Sequence, residues 1–174
     1  LRWLCACDAA RWRVLGHRFF VMQHDDYYIE YDGSHYIVVP YSVYNYGFFA
    51  SYPVPGGVFL ASEEGVIEEL ALEDAKQDPR LEGHPLIGFS DAQRVADSVE
   101  FSNGWLNTMF GHNDQSQRPN IGAGNEMPYL SLLNIGEDSG TPVYTSVLLP
   151  YGAKSALSDK VIFHNSRTNT LKLF

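Results

Sequence analysis

Residues 37–41 read Ile-Val-Val-Pro-Tyr and residues 147–151 read Val-Leu-Leu-Pro-Tyr. Three buried-type residues before a proline constrain the fold, because proline cannot donate to a β-ladder and sits at its margins. Both strings predict a strand that stops as the chain leaves a sheet. The residues downstream of each string repeat in order as well. After Tyr41 come Val58-Phe59-Leu60, a turn at Glu63-Glu64-Gly65, and Val66 to Leu70. After Tyr151 come Val161-Ile162-Phe163, a turn at Asn165-Ser166-Arg167, and Thr170 to Phe174. Each copy reads as strand, connection, strand, turn, strand.

A helix is expected in front of each copy. Ser90-Asp91-Ala92-Gln93 has the form of a capping box, and Ala92, Val95, Ala96 and Val99 fall on one helical face. Asp8 to Gly16 would supply the first-half counterpart. Tyr28 to Val38 predicts a hairpin turning at Asp32-Gly33, a dipeptide suited to the positive φ values of a tight turn. Tyr129 to Ile135 is the matching strand of the second half. Leu72 to Gln77 reads as a linker helix stopped by Pro79. The expected fold class is α+β, with two repeated helix-plus-antiparallel-meander units. The first covers residues 1–80 with a Tyr-rich meander, and the second covers residues 81–174 with a polar loop inserted at 104–127.

The helix Ser90–Asn103, the turn-and-strand string Glu63-Glu64-Gly65-Val66-Ile67-Glu68 and its partner Arg167-Thr168-Asn169-Thr170-Leu171-Lys172 resemble the PepSY-like and wider cystatin-like modules. The resemblance is topological and spans most of the chain. It implies a non-enzymatic binding or regulatory module, often membrane-associated or secreted.

Composition narrows the partners. A formal charge of −9 argues against a nucleic-acid binder, which needs a basic face for phosphates. Arg2, Arg11, Arg13 and Arg18 against Asp8 leave the first 18 residues at +3, so the remainder holds −12. That basic start could lie near membrane headgroups or pair with the acidic body. No apolar run reaches the ~18 residues a membrane span needs, so a soluble segment is expected. The chain opens on Leu1 and closes on a strand-like run, which suggests a piece of a longer polypeptide. Cellular location stays open.

Catalytic signatures are missing from the sequence, including Gly-x-Ser-x-Gly, His-Glu-x-x-His and any phosphate-binding glycine loop. Cys5 and Cys7, with His17 and His24, match no zinc spacing, and inert thiols are expected. His24-Asp25-Asp26 on a strand cannot all face one ion, so solvation is expected there. His17, His35, His84 and His164 stand alone. No catalytic residue, metal ligand or cofactor is assigned.

Two segments exceed what architecture requires. Asp8 to Pro40 spans 32 residues and Ser90 to Pro150 spans 60, and the excess falls in the loop after Gly104. Long polar loops inside compact domains tend to be functional. There His112, Asn113, Asp114 and Gln115 place a base, a carboxylate and amides in a row, while Asp114, Asn120, Asn125 and Glu126 fit no calcium-loop spacing. The second segment is aromatic. Tyr41, Tyr44, Tyr46, Phe48 and Phe49 follow a strand-ending proline, where large amphipathic rings suit an interface. The functional expectation is a non-enzymatic binding or assembly module acting on a protein partner or on itself. The alternatives are a small metal-dependent or hydrolytic enzyme using His112 and Asp114, and a structural subunit of a virion or filament.

Overall fold

The computed structural model describes residues 21–48, 51–104, 106–112, 115–117, 119, 128–133, 140–152 and 160–174. The chain divides into two compact units, Leu1–Asp91 and Ala92–Phe174. The helix expected over Asp8–Gly16, the pair Cys5 and Cys7, and the basic residues up to Arg18 lie outside the described residues.

The first unit is built on strands β1 (Val21–Gln23), β2 (Tyr27–Tyr31), β3 (Ser34–Tyr46), β4 (Ser51–Ser62) and β5 (Ile67–Ala71). All pairings are antiparallel, and β1 and β2 share one flank of β3. The β2–β3 turn uses Asp32 (φ 50°) and Gly33 (φ 72°), the positive pair an Asp-Gly hairpin demands. Beyond it, β4 pairs with β3 on one side and β5 on the other.

Both faces of the sheet centre are buried. Ile37, Val39, Tyr41, Phe59 and Ala61 cluster on one face. Ile29, Val38, Val58 and Leu60 occupy the other, with Ala75, Leu81 and Leu86 over them. This double burial explains why β3 and β4 read as continuous apolar runs rather than as alternation. Ala75 lies on helix α1 (Leu72–Gln77), and Leu81 closes a 3-10 turn (Pro79–Leu81) whose start is capped by Asp78 Oδ1 on the Arg80 amide at 2.9 Å. Leu81 and Leu86 are fully buried, and truncating either to Ala should cost about 2–5 kcal/mol.

Pro40 does not end its strand, contrary to the expectation from sequence. It pairs with Val58 in the middle of β3. Its carbonyl accepts from the His24 amide at 2.9 Å, so its nitrogen faces the same flank, where the edge strand is broken between β1 and β2. A proline is tolerated there because no ladder donor is required.

The second unit holds β6 (Ser116–Gln117), β7 (Tyr129–Leu133), β8 (Thr141–Pro150), β9 (Lys160–Asn165) and β10 (Leu171–Leu173). β6 and β7 share one flank of β8, and β9 and then β10 follow on the other. Leu148 and Ile162 face Ala96 and Val99, which lie at the end of helix α2 (Phe89–Ser98) and just past it. The β9–β10 turn is tied by Asn165 Oδ1, which accepts from the Arg167 and Thr168 amides at 2.9 and 3.0 Å.

The expected α+β class is corrected. Among the described residues strands make up 50% and helices 22%, and the helices are short, so this is a β-rich fold of two antiparallel sheets. The ten residues of α2 are the longest helix described, and it starts at Phe89 rather than behind a Ser90 cap. The helix-then-meander expectation gives the helices too much weight. Apolar residues that fit a helical face are few, whereas the strand runs are buried on both sides.

Candidate functional site

Three features go beyond framework. The first is an arm. Among the described residues, β1 pairs along β3 as far as Val43, and β5 pairs along β4 as far as Gly57. Past those points β3 and β4 continue as a two-stranded ribbon among the described residues, with Tyr44 opposite Pro53, Asn45 opposite Tyr52 and Tyr46 opposite Ser51. Three residues of strand carry it roughly 10 Å beyond the sheet. The ladder shifts register between Tyr41 and Ser42, leaving Gly56 as the extra residue on β4. Gly56 is required there, since a Cβ would lie 2.5 Å from the Tyr41 ring. The bulge is the device that bends and twists the ribbon out of the sheet.

The arm is aromatic and exposed. Tyr46 is 73% and Phe48 94% accessible, and Tyr44 and Tyr52 are about half so, at 41% and 53%. Tyr44 and Tyr46 have ring centroids 6.5 Å apart, and Asn45 Nδ2 donates to the Tyr52 hydroxyl at 3.0 Å. No Asp, Glu, Lys, Arg or His occurs from Tyr36 to Ser62. Sequence alone puts Tyr44 and Tyr46 in an irregular connection, but they are strand residues. Tyr41, expected beside them, belongs elsewhere. It is buried, packs on Phe59 with centroids 4.5 Å apart, and donates its hydroxyl to Glu69 Oε1 at 2.8 Å. Phe49 lies outside the described residues.

The second feature sits at the root of the arm. Ser42 follows the bulge, His24 fills the break between β1 and β2, and Asp91 lies in the first turn of α2. His24 Nε2 is 2.8 Å from Ser42 Oγ and 2.8 Å from Asp91 Oδ2, and Ser42 Oγ donates to the same carboxylate oxygen. One Nε2–H shared between two oxygens, with one hydroxyl proton, closes the triangle. All three residues are buried, at 5% exposure or less. The residue types are those of a hydrolase triad, but the arrangement is not. Serine and carboxylate share one imidazole nitrogen, so the ring cannot relay between them. The Ser42 hydroxyl is also closed to substrate. This is a structural pin that holds the arm's base to the start of α2. Its signal in the sequence points the wrong way: beside Asp25 and Asp26, His24 reads as solvated, and Asp91 reads only as part of a cap.

The third feature is His112. It takes left-handed backbone (φ 51°) at the end of one π-helical turn, Asn107–Gly111. Such a conformation is uncommon for a residue with a Cβ, and π turns concentrate at functional sites. Its ring lies flat on Tyr151, with centroids 3.9 Å apart and planes within 1°. Nδ1 is 2.7 Å from Gln115 Oε1, while the Gln115 carbonyl accepts from the Tyr151 amide at 2.8 Å. Gln115 is buried, so of the four loop residues singled out, His112 and Gln115 meet in one cluster. Asn113 and Asp114 lie outside the described residues. Among the described residues no three His, Cys, Asp or Glu side chains group as a metal would require.

Two histidines that look isolated in the sequence have defined settings. His84 stacks on Tyr27, with centroids 6.0 Å apart. His164 is buried under Tyr144 with Nε2 2.8 Å from Asn169 Oδ1, and burial holds its pKa below the ordinary histidine value against that hydrogen bond.

Comparison with protein-family models, with curated proteins and with solved structures finds no match to this chain.

Proposed function

We propose that this protein is a non-enzymatic binding module that attaches to a protein partner, or to another copy of itself, through the aromatic arm of β3 and β4. One observation carries the reading: an uncharged ribbon presenting Tyr44, Tyr46, Phe48 and Tyr52 to solvent in a chain of net charge −9. Large rings with polar tips bury much area with few torsions to freeze, which is why they dominate interface energies. Isolated chains rarely keep so much aromatic surface uncovered. The pin at the arm's base favours the same reading, since a rigid root lowers the ordering cost of docking.

A photo-crosslinking residue at position 46 or 48, used in extracts of the cells that make the protein, tests this. Adducts to one protein species, or to the chain itself, are expected from both positions, and none from the same probe at exposed Glu64. Equal labelling from all three positions, or none from the arm, would remove the proposal.

A further inference from the structure

The edges of the two sheets are guarded unequally. A strand with one open flank offers backbone donors and acceptors to any other strand, and charge, proline or very short length normally prevents such pairing. Among the described residues, β2, β5, β7 and β10 each pair on one flank only. β2 carries Glu30, β5 carries Glu68 and Glu69, and β10 carries Lys172, while β1 and β6 are three and two residues long. β7, Tyr-Leu-Ser-Leu-Leu, has none of these protections within it. Tyr129, on one face, is 46% accessible, and Leu130 and Leu132, on the other, are 51% and 63% accessible.

The ladder fixes which backbone groups point outward. Successive residues of an antiparallel strand turn their N–H and C=O to alternate flanks. The Pro142 carbonyl accepts from the Ser166 amide at 3.1 Å on the β9 side. Thr141, Val143 and Thr145 therefore turn toward β7, where they pair with Leu133, Ser131 and Tyr129. Leu130 and Leu132, opposite Tyr144 and Pro142, turn their N–H and C=O away from β8.

We propose that β7 pairs with β7 of a second copy, antiparallel about a two-fold axis through Ser131. Backbone of this kind is met by an extended strand, and the side chains choose which one. In the two-fold register Leu130 of each copy exchanges backbone hydrogen bonds with Leu132 of the other, and the two leucines lie side by side on one face. Ser131 stands opposite Ser131, a small uncharged pair. The same operation on β10 would set Lys172 against Lys172, and like charges directly opposite are destabilising. An unrelated strand would have to bring apolar residues to both flanking positions and no charge between them. A second copy supplies that pattern by symmetry.

Disulfide trapping and sedimentation of the full chain test this. On oxidation Ser131→Cys gives covalent dimer well above the background that Cys5 and Cys7 set in the parent, because residues opposite at a non-hydrogen-bonded position have Cα atoms about 4.5 Å apart, within disulfide reach. Leu130→Cys and Leu132→Cys, each tested alone, stay at background, since each faces the other position rather than itself. Leu132→Pro removes an N–H that β8 does not use, so it melts as the parent does. Its dimer dissociation constant rises about tenfold or more, because the lost bond is lost twice by symmetry. Phe48→Ser in the arm leaves this dimer intact, so failure here and failure of the arm reading are told apart. A parent that sediments as a monomer at its highest soluble concentration overturns the proposal and leaves the edge to a strand of another protein. So does a Ser131→Cys variant that traps no more dimer than Leu130→Cys, or a dimer that Phe48→Ser dissolves and Leu132→Pro leaves untouched.

Discussion

Gly88 is the position where a single methyl group should report on the buried pin. A Cβ placed there would stand 2.2 Å from His24 Cγ, 2.4 Å from its Cβ and 2.6 Å from its Cδ2. The imidazole cannot step aside freely. Its Nε2 is held by Ser42 and Asp91, and its backbone amide donates to Pro40. Gly88→Ala must push back the chain ahead of α2 or tilt the ring out of the triangle. Overpacking of this kind costs about 1–3 kcal/mol. Weakening a hydrogen bond to a buried carboxylate adds about 1.5–3 kcal/mol. The expected total is roughly 2.5–6 kcal/mol, or a fall in Tm of roughly 5–24 °C for a chain of this size. Denaturant melts of the parent, Gly88→Ala, His24→Gly and the double variant form the assay. With the whole His24 side chain removed, its Cβ included, the added methyl should cost less than about 1 kcal/mol, so the two changes couple strongly. A Gly88→Ala cost that is small in the parent, or equal with and without the imidazole, would refute the pin.

Gly57→Ala should be at least as damaging, because its φ of +150° disfavours a side chain and a Cβ would lie 2.0 Å from the Leu70 carbonyl oxygen; failure to lower Tm would contradict the β4–β5 packing. His164 titrates below 6.5 in the folded chain, so the unfolded chain binds the proton more readily and stability falls as pH drops through and below 6.5. His164→Gln should flatten that part of the pH–stability profile measured by denaturant melts. At His112, replacement by Gly should be more stable than replacement by Ala by about 1 kcal/mol, since both lose the Tyr151 stack but only Gly suits φ 51°. Tyr46→Ser and Phe48→Ser should change stability by less than about 0.5 kcal/mol while abolishing the arm's cross-links, given their exposure.

The sequence by itself determined the strand runs and their turns. Asp32-Gly33 had to turn a hairpin, because that dipeptide accepts two positive φ values at low cost. The runs Val58–Leu60 and Val161–Phe163 had to be strands, and Leu72–Gln77 had to be a short helix before Pro79. Local chemistry also set apart the aromatic cluster and the loop holding His112, by composition and by length. Tertiary structure decided the rest. Whether Pro40 ended a strand depended on a break in the neighbouring strand, and nothing beside it in the chain encodes that break. Tyr41 is core and Tyr46 surface because, among the described residues, β1 and β5 pair no farther than Val43 and Gly57, so the strand is flanked at its middle and not along the arm. His24, Ser42 and Asp91 are separated by 18 and 49 residues in sequence, and only the sheet's bulge and the start of α2 bring one proton-sharing set together. Spacing along a chain fixes which residues share a face of one element. Which faces are then covered is settled by where other elements end, and that length is read only in the folded sheet.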